Sequence, residues 1–138
     1  MSSAAEERRK PTIVQAGEGR TYHMGPLQAV FKADGGETGE RMSVSEWWLE
    51  PKTAGPGVHA HDDEHMFYVL EGVLSLCLDG DWIDLARGAY VIIPGGTPHD
   101  FQNRGDVRAG FMAVNVPGGF EGAMAGIEAD LRARDLKL

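Results

Sequence analysis

Apolar and polar residues alternate over short stretches through most of the chain, and turn-forming residues interrupt them at spacings of about ten residues. Residues 66–70, Met-Phe-Tyr-Val-Leu, are aromatic and branched and favour a strand, which Glu71-Gly72 ends. Residues 73–78 and 82–85 flank Asp79-Gly80-Asp81, and an Asp-Gly pair between two alternating runs predicts a hairpin. Arg87-Gly88 makes another turn, and residues 90–93 read as a short buried strand stopped by Pro94-Gly95-Gly96. Residues 99–102 and 109–116 continue the series across the turn-like Asn103-Arg104-Gly105-Asp106. Upstream, residues 42–49 alternate and then end in Trp47-Trp48-Leu49, while residues 12–14 and 27–33 are further strand candidates. Residues 34–40 read as a polar, Gly-rich loop and residues 1–11 as a flexible tail. After Pro117-Gly118-Gly119 the period changes. Phe120, Met124, Ile127 and Leu131 recur at helical spacing and predict an amphipathic C-terminal helix. The pattern is that of an all-β sandwich or barrel over residues 12–117, with residues 118–138 packed on it or on a partner subunit.

Composition narrows the function classes. A chain of 138 residues fits one domain, and 19 glycines with seven prolines suit many tight turns. The net charge of −8 excludes nucleic acid as the main partner, because phosphate binding needs a basic footprint. Cys77 is the single cysteine, so neither an intrachain disulfide nor a thiolate zinc site is expected; Leu76 and Leu78 beside it predict a buried thiol. No apolar run approaches the roughly 20 residues of a membrane span, and the polar N-terminus lacks a signal-like apolar stretch. The expectation is a cytoplasmic protein with no membrane partner.

Four of the five histidines fall in two short stretches, residues 55–65 and 94–99. His59 and His61 are two apart, a spacing that puts both side chains on one face of a strand. His65 follows the acidic turn Asp62-Asp63-Glu64, and His99 follows a Pro/Gly turn. Imidazoles gathered from several strand ends suit one divalent transition metal, Fe, Ni, Zn, Mn or Cu, rather than Ca or Mg, which prefer oxygen.

At these residues the chain resembles the cupin superfamily. One motif of that family reads Gly-x5-Pro-x-Gly-x2-His-x3-Asn, and Gly88, Pro94, Gly96, His99 and Asn103 match it throughout. The other motif is matched by His59, His61 and Gly72, but its usual glutamate position is held by His65, and its opening glycine is displaced. The resemblance covers about residues 40–117. It implies a double-stranded β-helix, or jelly roll, with a metal inside the barrel held by His59, His61 and His99. The fourth ligand is His65 by both flanking spacings. Glu64 remains the alternative, since a one-residue slip exchanges the two faces of a strand. A metal-free barrel whose histidines only hydrogen-bond a ligand is a further alternative.

Four neutral imidazoles leave a divalent ion at +2, where three and a glutamate leave +1. That favours ionised water and anionic ligands at the metal. The leading expectation is therefore a dioxygenase-type, quercetinase-like cupin acting on a chelating enol, phenol or carboxylate. The alternatives are a redox-neutral isomerase, decarboxylase or lyase, and a non-catalytic binding or sensing module. Phe67 shares a face with His65, and Phe101 with His99, so both are candidates for lining a substrate pocket. Glu46 is a candidate acid or base if its side chain points inward. Trp47, Trp48, Tyr90 and Phe111 are core candidates, Asn103 a turn cap, and His23 a surface or edge residue. Asp62, Asp63 and Glu64 read as a solvated turn. A homodimer is expected, with residues 12–14 and the C-terminal helix as possible contacts.

Overall fold

The computed structural model describes residues 8–138; residues 1–7 of the expected tail lie outside that range. Nine strands run in the order β1 (Arg20–Met24), β2 (Leu27–Ala33), β3 (Ser43–Leu49), β4 (Glu64–Glu71), β5 (Val73–Leu78), β6 (Asp81–Ala86), β7 (Tyr90–Ile93), β8 (His99–Gln102) and β9 (Ala109–Val116) among the described residues. A one-turn helix α1 (Gly35–Thr38) follows β2, and a 3₁₀ turn (Phe120–Ala123) leads into helix α2 (Met124–Arg132).

The strands form two antiparallel sheets, one of six in the order β1-β2-β3-β9-β4-β7 and one of three in the order β6-β5-β8. Beyond the consecutive strands β1-β2-β3, neighbours in the larger sheet are distant in sequence, with β9 between β3 and β4 and β7 beside β4, so these runs bury their apolar faces only once the whole chain has wound. The inward faces meet as a single core that includes Phe31, Trp47, Leu49, Phe67, Leu74, Leu76, Phe101 and Phe111. Full burial of one such large side chain contributes about 1.5–3 kcal/mol. The jelly-roll expectation is met, and Cys77 is a buried free thiol.

Cross-strand register sorts the inner face of the larger sheet into rows. Ser43, Asn115, His65 and Ile93 form one row, followed by Ser45, Ala113, Phe67 and Val91. The polar row thus lies directly beside an apolar one. That placement follows from the period of two along β4 and β9.

Several expectations require correction. Residues 12–14 form no strand; the first strand is Arg20–Met24, whose polar sequence gives little β signal and which pairs with β2 across Gly25-Pro26. Part of the expected loop at residues 34–40 is the helix α1, closed by a capping box in which Glu37 Oε1 accepts from the Asp34 backbone N–H at 2.9 Å. Arg9, within the expected tail, donates to the Glu37 carbonyl at 2.8 Å. The strand at residues 90–93 forms but is not buried as expected: Tyr90 and Ile92 are exposed, and of the four only Ile93 is fully buried. Trp48 faces outward, half-buried, with the Arg108 guanidinium 4.4 Å above its ring. His23 is exposed on the edge strand β1, as expected.

The C-terminal segment packs back on the strands. Met124, Leu131 and Leu136 are buried, and the Ala54 amide donates to the Leu136 carbonyl at 2.6 Å. No helix among the described residues is long and apolar enough to cross a membrane.

Candidate metal centre

His65 and His99 reach the site from regular strands. On β4 the burial alternates so that His65, Phe67 and Val69 point inward while Glu64 is exposed. The slipped register that would turn Glu64 inward is therefore not the one adopted. His99 opens β8 in the smaller sheet, opposite Leu78 of β5. His65 is 2% exposed and His99 1%.

His59 and His61 come from the loop between β3 and β4. The His59 and His99 backbones exchange two hydrogen bonds of 3.0 and 2.9 Å, which extends the smaller sheet by one residue pair. The His61 carbonyl accepts from the Gly96 amide at 2.8 Å. Gly96 has φ +84°, and a Cβ on neighbouring Gly95 would sit 2.1 Å from the Asp62 carbonyl oxygen. The Gly95-Gly96 pair thus lets the turn before His99 lie against the loop that carries His61. Asp100 fastens the other end of that loop: its Oδ1 accepts from the Gly57 amide at 3.1 Å and the Phe101 amide at 2.8 Å. Burial pushes its carboxyl above the ordinary value, and the two amides oppose that shift.

The four rings converge. The His65 and His99 Nε2 atoms are 3.2 Å apart, and the ring centroids of His61 lie 4.5 Å from His65 and 4.9 Å from His99. Ligand nitrogens of His59, His61 and His99 lie within 4.8 Å of one another, and so do a ring nitrogen of His61, a carboxylate oxygen of Asp63 and a ring nitrogen of His65. Each Nδ1 faces an oxygen two residues away in sequence. His59 faces the Gly57 carbonyl at 2.7 Å, His99 the Thr97 carbonyl at 2.8 Å, and His65 the Asp63 carbonyl at 3.4 Å. His61 alone faces a side chain, Asp63 Oδ1 at 2.5 Å. A carbonyl can only accept, so Nδ1 carries the proton and Nε2 presents a lone pair. Burial, with the neighbouring histidines, holds His99 down to about 4 against the hydrogen bond to the Thr97 carbonyl, which raises it, and burial with His61 nearby lowers His65 as well. Both rings are therefore neutral donors at pH 7.

This donor set fits a transition metal. Two lone pairs facing each other at 3.2 Å repel unless a cation lies between them. Ligands about 2.1 Å from one ion, at tetrahedral or octahedral angles, are about 3.0–3.4 Å apart. His59, His61 and His99 form a possible site for such an ion, with His65 at their side.

The imidazoles border a cavity of about 410 Å³ lined mainly by apolar side chains, Trp47, Phe67, Phe101, Phe111, Ala113, Phe120, Ile127 and Leu131 among them. Phe67 and Phe101, the two sequence candidates, are there; the Phe67 ring lies 5.4 Å from His65 and 4.4 Å from Phe111. Asp130 and Arg134 also border the cavity as an i,i+4 ion pair, and Arg134 donates to the Pro56 carbonyl at 2.8 Å. Glu46 is absent from this lining. Ser43, Ser45, Trp47 and Leu49 take the inward positions of β3, so Glu46 points outward, 4.0 Å from Lys32. Its expected role as an inward acid or base is corrected on that ground.

Asp63 was missed. It is not a solvated turn residue: its side chain is 17% exposed and bridges His61 to the Asn115 amide, which donates to Oδ2 at 2.7 Å. The available signal was its two-residue spacing from both His61 and His65. Asn103 does cap its turn, accepting from Gly105 and donating to the Val107 carbonyl, and it also donates to the Leu49 and Glu50 carbonyls.

Comparison with known proteins agrees with this architecture. The cupin domain family model (Cupin_2) matches residues 45–115. Quercetin 2,3-dioxygenase of Bacillus subtilis is 37% identical over 93 residues, which is 67% of this chain but 27% of that protein. The chain therefore spans about a quarter of that relative's length. Among solved structures, KdgF from Halomonas sp. superposes with a TM-score of 0.71 at 15% identity, over 82% of this chain and 99% of that one. A predicted oxalate decarboxylase from Thermotoga maritima gives a TM-score of 0.70 at 18% identity, over 76% and 98%. At these identities the two structures speak to the fold alone.

Proposed function

Because the chain belongs to the cupin family, we propose that it is a metal-dependent enzyme of the dioxygenase type, acting on a small molecule with an apolar body and a chelating enol, phenol or carboxylate. The observation that carries this reading is the convergence of four imidazoles on the wall of a largely aromatic cavity of about 410 Å³. The likeness to quercetin 2,3-dioxygenase over 93 residues supports the same class.

His59, His61, His65 and His99 would hold the ion through Nε2. A bound divalent metal supplies Lewis-acid polarisation of the substrate oxygen and, if redox-active, electron exchange with dioxygen. The chain's own residues do the rest. Phe67, Phe101 and Phe111 offer ring faces and edges to a flat apolar substrate, and their packing keeps water from the reacting end. The carboxylate in the cavity lining is that of Asp130, which is ion-paired with Arg134 on the C-terminal segment. With no carboxylate among the described residues of the inner aromatic walls, the site suits a substrate acidic enough to ionise on binding, as enols and phenols are.

The test loads the purified apoprotein with Fe(II), Ni(II) or Zn(II) and screens flavonol and β-diketone substrates with and without oxygen. Oxygen consumption stoichiometric with substrate loss, in the Fe or Ni form, is the expected result. Full turnover of the zinc form without oxygen would replace this reading with a redox-neutral isomerase, decarboxylase or lyase. Failure to retain any of the metals would leave a metal-free binding module.

A further inference from the structure

Of the four imidazoles, three rest their Nδ1 atoms on backbone carbonyls and one on a carboxylate. That carboxylate, Asp63, holds the cluster at three points. Oδ1 meets His61 Nδ1 at 2.5 Å, Oδ2 accepts from Asn115 Nδ2 at 2.7 Å, and its backbone carbonyl faces His65 Nδ1 at 3.4 Å. Asn115 sits opposite His65 in the register of β4 and β9, so the bridge ties the loop-borne His61 to the strand that positions His65. One residue thus orients two rings and anchors them to the larger sheet.

The charge of Asp63 matters as much as its position. An all-imidazole shell contributes no negative charge to a divalent ion. A carboxylate hydrogen-bonded to a ligand imidazole raises the basicity of that ring and lowers the field felt at the metal. We propose that Asp63 is the positioning residue that supplies, one hydrogen bond beyond the ligands, the negative charge absent from the four-histidine set. This rests on the metal-centre reading above. It differs from direct ligation by Asp63, because Oδ1 is engaged by the ring proton of His61 and Oδ2 by an amide. The centre then behaves toward anions as a less positive site than its ligand count implies. Its substrates are accordingly chelators acidic enough to bind a moderated cation, not any small anion that reaches it.

The test uses the full chain loaded with Co(II), whose absorption reports ligand number, and azide as the anion probe. Three properties are measured on wild type and Asp63→Asn: cobalt affinity by chelator competition, the visible spectrum, and azide affinity. Cobalt affinity falls about 10- to 100-fold in the variant. Azide affinity changes the other way, tightening about tenfold because one nearby negative charge is gone. The spectrum without azide stays that of the wild type. Opposite movements of the two affinities are what a merely loosened site does not produce. Asp63→Ser carries the same expectation should Asp63→Asn not fold, and Asp63→Glu, which keeps the charge, leaves azide affinity near wild type. Azide affinity indifferent to Asp63→Asn, or falling along with cobalt affinity, overturns the inference. A changed ligand number in the variant overturns it in favour of direct ligation. Wild type that takes up no cobalt overturns the metal reading and this inference with it, whereas cobalt uptake with azide binding blind to Asp63 overturns this inference alone.

Discussion

The four histidines are held in two different ways. His65 and His99 stand on strands β4 and β8, almost fully buried, with their backbones in the sheet ladders. His59 and His61 stand on the loop before β4, half-buried, and depend on what reaches across to them: the His99 backbone, the Gly96 amide, Asp63, and Asp100 through Gly57. The strand pair is placed by the same forces that fold the core. The loop pair is placed by a few polar contacts whose net contributions are about 0.5–1.5 kcal/mol each. Fold stability and site geometry are therefore separable on the loop side and inseparable on the strand side.

That contrast can be broken at its strongest point first. His99→Ala should weaken metal binding by more than the roughly 100-fold that loss of a supporting partner costs, and His65→Ala likewise, as read by chelator competition. Equal metal affinity in His65→Ala and wild type would remove His65 from the ligand set. Next comes the core that carries the strand pair. Phe111→Ala deletes a fully buried ring against Phe67, Phe101 and Trp47, and should cost about 3–5 kcal/mol in urea unfolding. Metal affinity should fall with it. The loop pair should respond differently. Gly95→Ala forces a Cβ against the Asp62 carbonyl and should reduce metal affinity about tenfold. Its unfolding free energy should drop by about 1–2 kcal/mol, less than for Phe111→Ala. A Gly95→Ala variant as unstable as Phe111→Ala would show that loop and core are one unit. Smallest of all is Glu46→Gln. Its ion pair with Lys32 is on the outer sheet face, so stability should change by under about 1 kcal/mol and turnover not at all.

The same division governs what could be read from the chain. β4 and β9 were legible because each buries one face, so their inward residues recur every second position, whereas β5 to β8 were legible chiefly from the Gly, Pro or Asp turns that bound them. His65 inherits its orientation from the alternation of β4, and His99 its place from the turn before β8. β1 was not legible: Arg-Thr-Tyr-His-Met buries mainly its last residue, and an edge strand needs no apolar face. β3 was legible as a strand but not as a face. Its inward positions include Ser43 and Ser45 while Val44 and Trp48 face outward, so hydrophobicity does not say which side Glu46 takes. Asp63 was legible only in part. Its two-residue spacing from His61 and His65 is a local signal, but Asn115 reaches it only through the pairing of β4 with β9, and nothing in the acidic run marks that bridge.

The wall formed by Phe120, Ile127 and Leu131 has a consequence for divergence within this architecture. These residues lie outside the region matched by the family model, residues 45–115, yet Phe120 stands 5.7 Å from the His61 ring. Part of the cavity wall is thus carried by a stretch of polypeptide separate from the one that holds the histidines. Changes at Phe120, Ile127 or Leu131 can reshape the chamber while the hydrogen bonds that hold the histidines stay as they are. An appended segment of this kind is an evolutionary handle: grafted onto another barrel, or varied as a library on this one, it would change the guest without rebuilding the host.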